Sequence, residues 1–119
     1  RLSVQRRENI PQKPFLICSN HQSHLDAIIL AYVAGKNFNH AALIAAKDYW
    51  FDNTMRHTIA GFFLNLIPVS RKESDDFNVT RRLVKAFISG GNRCIAILPE
   101  GTRNTNGHML SFKKGAAML

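Results

Sequence analysis

Four short apolar runs, each the length of a buried strand and each followed by a polar cluster, constrain this chain most. They are Pro14-Phe15-Leu16-Ile17-Cys18-Ser19, Ala41 to Ala46, Leu66-Ile67-Pro68-Val69 and Cys94-Ile95-Ala96-Ile97-Leu98. Runs of this length read as buried strands, with helix the alternative for Ala41 to Ala46. Pro68 lacks a ladder donor, so its strand is expected at a sheet edge or as a strand start. Between the runs lie helical patterns. Ser23 to Ala34 is rich in Ala, Ile and Leu, with Gly35 as a stop. Tyr49 to Leu64 is aromatic and mixed and reads as one or two helices. Phe77 to Ser89 is amphipathic: Phe77, Thr80, Leu83, Val84, Phe87 and Ile88 share one face and Arg81, Arg82 and Lys85 the other. Asp75 and Asp76 precede it, where the helix dipole favours negative charge, and Gly90-Gly91 ends it. A further helix is expected to begin near Phe112. Strands alternating with helices imply an α/β fold, a largely parallel sheet flanked by helices.

The chain has 119 residues, enough for one domain, and its 45% hydrophobic content supports an ordinary core. Residues 1–13 are basic and polar and read as a surface segment leading into a domain over 14–119. With no Met at residue 1 and an apolar stretch at its end, the chain reads as a piece of a longer protein. No apolar core follows the basic start, so no signal peptide is expected. The longest nearly apolar run, Ile59 to Val69, holds Asn65 and Pro68 and is too short to span a bilayer. Cys18 and Cys94 each sit in an apolar run and read as small buried residues in a reducing compartment, not as a disulfide. Sixteen Lys and Arg against eight Asp and Glu give a net charge of +8. That balance favours anionic partners: nucleic acid, an anionic membrane or a phosphorylated substrate. The basic residues are dispersed and no RNA-binding aromatic signature accompanies them, which argues against nucleic acid.

Parallel sheets bind ligands outside the carboxyl ends of their strands. Three polar clusters fall there: Asn20 to Asp26 (NHQSHLD), Val69 to Lys72 (VSRK) and Pro99 to Asn104 (PEGTRN). A neutral His21 can take a proton from a hydroxyl if a carboxylate such as Asp26 fixes its tautomer and stabilises the imidazolium. The same residues also fit a helix start, with Ser23 as N-cap and Asp26 three residues on. A metal site built from His21, His24 and Asp26 is a third reading, weakened by the spacing and by the absence of a second histidine cluster. In the last cluster Gly101 permits a tight turn. Thr102 and Arg103 offer a hydroxyl and a planar fork to phosphate oxygens, and Glu100 can hold the Arg or accept a substrate hydroxyl. A solvated polar turn is the simpler alternative. Arg71 gains meaning only if its strand end adjoins the other two. Lys113 and Lys114 read as a solvated helix start or as part of the anion field.

Asn20-His21 with four residues to Asp26, then Ile67-Pro68-Val69-Ser70-Arg71, then Leu98 to Arg103, then Phe112-Lys113-Lys114-Gly115-Ala116, resemble in order and spacing the glycerolipid acyltransferase family. The 1-acylglycerol-3-phosphate (lysophosphatidic acid) acyltransferases are its best-known members. The resemblance covers about residues 14–119. It implies a glycerol-3-phosphate acyltransferase-like fold, incomplete at the C-terminus, since the family's later apolar-proline strand block would follow Leu119. It implies that His21 is the catalytic base and Asp26 its orienting carboxylate. Arg71, Glu100, Gly101, Thr102 and Arg103 would bind the acceptor's glycerol phosphate. The implied donor is acyl-CoA or acyl carrier protein, with no metal, no other cofactor and no acyl-enzyme, in agreement with the absence of a G-x-S-x-G elbow. A membrane-associated enzyme of phospholipid biosynthesis on the cytoplasmic face is the implied setting, to which the positive charge is suited. Ser70 departs from the acidic or amide residue that often precedes the family's Arg, which bears on acceptor identity. The competing classes are a metal-dependent hydrolase or thioesterase using His21, His24 and Asp26, and a non-catalytic basic membrane-binding module.

Overall fold

The computed structural model describes every residue except 1, 2, 4, 24, 36, 37, 51–64 and 71–76. Its elements run β1 (Phe15–Cys18), α1 (Asp26–Gly35), β2 (Ala41–Ala46), a one-turn α2 (Lys47–Trp50), β3 (Asn65–Val69), α3 (Phe77–Ser89) and β4 (Cys94–Ile97). A 3₁₀ turn at Lys114–Met118 follows. The four strands form one parallel sheet in the order β1-β4-β2-β3. The chain therefore travels outward from β1 to β2 and β3, then returns to insert β4 beside β1. Parallel crossovers are right-handed in nearly all proteins, so reversing the direction of travel moves the connecting helix to the other face. Accordingly α1 lies on β2 and β4, and α3 lies on β3 and β4.

The strand residues divide by parity between the two helical layers. Ala42, Ile44, Ile95 and Ile97 join Ile67 and α3's Val84 in one buried cluster, with Phe87 and Ile88 at its border. Ala41 and Cys94 pack with Ala34, and Leu43 and Ala96 with Ala27, on the α1 side. The central strands β2 and β4 are buried on both faces, which is why they read as unbroken apolar runs. β3 is an edge strand, where a ladder tolerates Pro68. Thr80 fastens α3 to it, donating its hydroxyl to the Pro68 carbonyl at 2.8 Å. α3 ends where its apolar periodicity ends: Gly91 takes φ +74°, and the Arg93 guanidinium donates to the Phe87 carbonyl at 3.0 Å.

Three expectations need correction. Cys94 is fully buried and its thiol donates to the His40 carbonyl at 3.4 Å, but Cys18 is exposed. β1 is the other edge strand, so its Leu16 and Cys18 face is not covered as Phe15 and Ile17 are by the α1 layer. Burial pushes both thiols above their ordinary value. α1 starts at Asp26 rather than Ser23, because Ser23 and its neighbours form the capping turn described below. The helix expected near Phe112 is the short 3₁₀ turn from Lys114. Most of the helical stretch read over Tyr49 to Leu64 lies outside the described residues; Tyr49 and Trp50 close α2. Among the described residues no helix is long and apolar enough to cross a membrane.

Candidate active site

Because β1 and β4 are neighbours in parallel, Cys18 stands opposite Ile97 and the two chains leave the sheet side by side. Ser19 N–H extends the ladder to the Ile97 carbonyl at 3.3 Å. Two residues on, His21 is held by its backbone at both ends. Its N–H donates to Glu100 Oε1 at 2.8 Å, and its carbonyl accepts the Asn104 N–H at 2.7 Å. The NHQSHLD and PEGTRN clusters, 79 residues apart at the His21–Glu100 contact, thus form one locked pair of loops.

Asp26 turns back from the first turn of α1 onto this loop. Its Oδ2 accepts the N–H groups of Gln22 and Ser23, each at 2.7 Å, and lies 3.3 Å from His21 Nδ1. Ser23 Oγ in turn accepts the Leu25 N–H at 3.2 Å. One carboxylate thus closes the helix start and faces the imidazole. Burial pushes the Asp26 carboxyl up. The Ser23 and Gln22 N–H groups and His21 outweigh it, so the carboxyl titrates below its ordinary value. An ionised carboxylate at Nδ1 selects the tautomer with the proton on Nδ1 and leaves the Nε2 lone pair free. The His21 side chain is 18% exposed, shielded but reachable. The 3.3 Å separation is longer than an ideal hydrogen bond.

Glu100 is almost fully buried, at 2% exposure. Both its oxygens accept backbone N–H groups, Oε1 from His21 and Oε2 from Leu110 at 2.9 Å. It braces the loops from inside, engaged with neither Arg103 nor solvent. Gly101 sits at φ +71° in the turn beyond it. Thr102 and Arg103 follow on the exposed side, and among the described residues no carboxylate pairs with Arg103. Arg71 lies outside the described residues. In the sheet order β2 lies between its strand, β3, and β4. His24 also lies outside them, and among the described residues no three His, Cys, Asp or Glu side chains group to hold a metal.

The pattern of residues singled out Glu100 by its charge but not its inward orientation, because its partners are backbone amides that leave no mark on sequence. Asn104 was missed as a clamp for the same reason: it acts on His21 through its own N–H, while its buried side chain accepts the Asn106 N–H at 2.8 Å.

Comparison with known proteins points the same way as this geometry. The Acyltransferase family model matches residues 1–119. The chain is 32% identical over 110 residues to the 1-acyl-sn-glycerol-3-phosphate acyltransferase alpha of Ovis aries, covering 92% of the chain and 36% of that protein. It is 34% identical over 110 residues to the beta form of Homo sapiens, covering 90% and 37%. To the 1-acyl-sn-glycerol-3-phosphate acyltransferase of Saccharomyces cerevisiae it is 28% identical over 124 residues, covering 99% and 38%. The chain thus spans somewhat over a third of the length of these relatives. No solved structure gives a significant match. A single family accounts for a matched full chain, an α/β sheet and a His-Asp pair braced by the Glu of a PEGTR turn: this chain belongs to the Acyltransferase family.

Proposed function

We propose that this chain forms the catalytic segment of an O-acyltransferase that moves a fatty acyl group from a thioester to the free hydroxyl of a lysophospholipid, 1-acylglycerol-3-phosphate being the leading acceptor. The observation that carries this reading is the ionised Asp26 at His21 Nδ1, which leaves Nε2 as a free base at the carboxyl ends of β1 and β4, beside the PEGTR turn. The names of the relatives supply the acceptor class.

In the proposed reaction Nε2 takes the acceptor's hydroxyl proton as its oxygen attacks the thioester carbonyl. Asp26 stabilises the imidazolium. Collapse of the tetrahedral adduct breaks the C–S bond, and the departing thiolate takes the proton back from Nε2, so the enzyme ends as it began. The donor is acyl-CoA or acyl carrier protein. Arg103, Thr102 and the Gly101 turn receive the acceptor's phosphate, with Arg71 as a further contributor and Glu100 holding the turn in place. The reaction takes place at an anionic membrane surface on the cytoplasmic side, to which the +8 charge is suited.

The test is transfer from radiolabelled acyl-CoA to lysophosphatidic acid, glycerol 3-phosphate and neutral lysolipids by the intact protein and its His21→Ala variant. Product that depends on acceptor and disappears in the variant supports the reading. Release of free CoA with no acylated lipid would make the site a thioesterase, and loss of activity on chelation would make it a metal hydrolase.

A further inference from the structure

We propose that Lys113 is a phosphate-binding residue of this site, a second cation beside Arg103 on the Gly101 turn. The inference rests on the acyl-transfer reading above for its substrate, and on the following geometry for the residue.

The chain leaves the PEGTRN turn and comes back to it. Leu110 N–H donates to Glu100 Oε2 at 2.9 Å, and Lys113 N–H donates to the Pro99 carbonyl at 2.8 Å. Residues 110–113 therefore form a strap along the turn. From that strap the Lys113 side chain runs across Gly101. Its Cε, Cδ and Nζ lie 3.0, 3.1 and 3.2 Å from the point that a Cβ on Gly101 would occupy. Glycine meets two demands here: φ +71°, and room for the lysine stem.

An exposed lysine ordinarily keeps its rotamers and its hydration in open water. Here the ammonium is laid over the turn that carries Thr102 and Arg103. Among the described residues no carboxylate pairs with Lys113 or Arg103. The nearest acid in sequence, Glu100, is turned inward and spent on backbone amides. Two cations at one turn, with no carboxylate partner among the described residues, suit an anion that carries more than one charge. An ammonium gives a point charge and a guanidinium a planar fork, and a phosphate monoester accepts from both. That phosphate belongs either to the acceptor lipid or to the CoA portion of the donor.

The experiment uses the intact protein with Lys113→Met, which keeps the stem and removes the charge, Lys113→Arg, which restores the charge, and Arg82→Ala on the exposed side of α3 as a control. KM is measured for lysophosphatidic acid and for monoacylglycerol as a phosphate-free acceptor. It is also measured for acyl-CoA and for an acyl-pantetheine thioester that lacks the nucleotide. Loss of one charge-assisted contact raises KM about tenfold. For Lys113→Met we expect that rise for lysophosphatidic acid, no change for monoacylglycerol, a smaller change in kcat, and recovery to within about threefold in Lys113→Arg. A rise for acyl-CoA, with acyl-pantetheine unmoved, assigns the same residue to the donor's phosphates. Wild-type constants throughout in Lys113→Met overturn the proposal. Inorganic phosphate gives a reading independent of turnover. It should raise the melting temperature of the wild type and of Lys113→Arg, but not of Lys113→Met. If the wild type transfers acyl groups to nothing, the function above fails, while the phosphate titration still decides the role of Lys113.

Discussion

Replacing His21 with Ala removes the only base that the described site offers to a hydroxyl, and a positioned general base contributes about 10²–10⁴ in rate. We expect kcat to fall by that factor, measured by single-turnover acyl transfer, with no change in melting temperature beyond that of a surface substitution. Asp26→Asn is the sharper test, because the carboxylate has two duties. Without its charge the imidazolium is unsupported, and kcat should fall at least about a hundredfold. The same change reshapes acid stability. The folded Asp26 pKa lies below its ordinary 3.8. Its contribution is therefore complete above pH 3.8 and is lost as pH falls from there through the lower folded value. Denaturant titrations across that window should show a steep loss in the wild type and a shallower one in Asp26→Asn. Glu100→Gln tests the brace. Its amide can still accept one N–H, but its NH₂ then faces the other, so a buried donor goes unpaired at a cost of about 1–3 kcal/mol. With His21's loop loosened, kcat should fall while KM for the acceptor moves little; a large KM change with kcat intact would make Glu100 a substrate ligand instead. That His21 and Asp26 could meet was legible because they lie five residues apart across a loop and a helix start. The inward turn of Glu100 and the reach of Lys113 were not, since both depend on where remote backbone falls.

Helix α1 carries two apolar faces. Ala27, Leu30 and Ala34 pack on the sheet, at the i, i+3 and i+7 spacing of a buried stripe. On the other side Leu25, Ile28, Ile29 and Tyr32 stand exposed, Leu25 at 60%. A surface helix normally turns charge outward, and α3 does so with Arg81, Arg82 and Lys85. The outer stripe starts at Leu25, one residue before Asp26, so a lipid surface seated on it would lie beside the His21 loop. Ile28→Ser with Ile29→Ser should weaken partitioning onto lipid vesicles about tenfold, read by sedimentation, with the melting temperature little changed; unchanged partitioning would release α1 from that role. Ile95→Ala, in the centre of the sheet at 1% exposure, should instead lower unfolding free energy by about 2–5 kcal/mol and leave vesicle binding alone. The bounds of β2 and α3 were readable to the residue, for opposite reasons: β2 is apolar without interruption, and α3 has a clean 3.6-residue alternation between glycine and acid boundaries. The start of α1 was not, because Ser23 to Asp26 close a capping turn on themselves before the helix begins. The stretch after Phe112 misled because Lys113 and Lys114 resemble a solvated helix start, whereas Lys113 is tied back to Pro99.

At the scale of the molecule, strand order decides which polar clusters share a site, and local pattern carries little of it. Each strand end was identifiable, but the order β1-β4-β2-β3 depends on pairings across as many as 79 residues, which brings the first and third clusters together. Net charge is the one global property that sequence states outright, and it leads to a prediction about where the molecule works. At +8, attraction to an anionic leaflet contributes about 1 kcal/mol for each Lys or Arg close to the surface, and it is screened as the Debye length shrinks from about 14 Å at 0.05 M salt to about 4 Å at 0.5 M. Binding of the intact protein to phosphatidylserine-containing vesicles should therefore fall more than tenfold over that range. Binding to neutral vesicles, which draws on the apolar stripe of α1, should hold or strengthen. If the charge serves the site as well as the surface, the KM for lysophosphatidic acid presented in detergent should rise with salt too, by a smaller factor, since Lys113 and Arg103 act at contact distance where screening is weakest. Vesicle binding that ignores salt would mean that the charge is not directed at the membrane, and would leave the PEGTR turn and its lysine as the place where it is used.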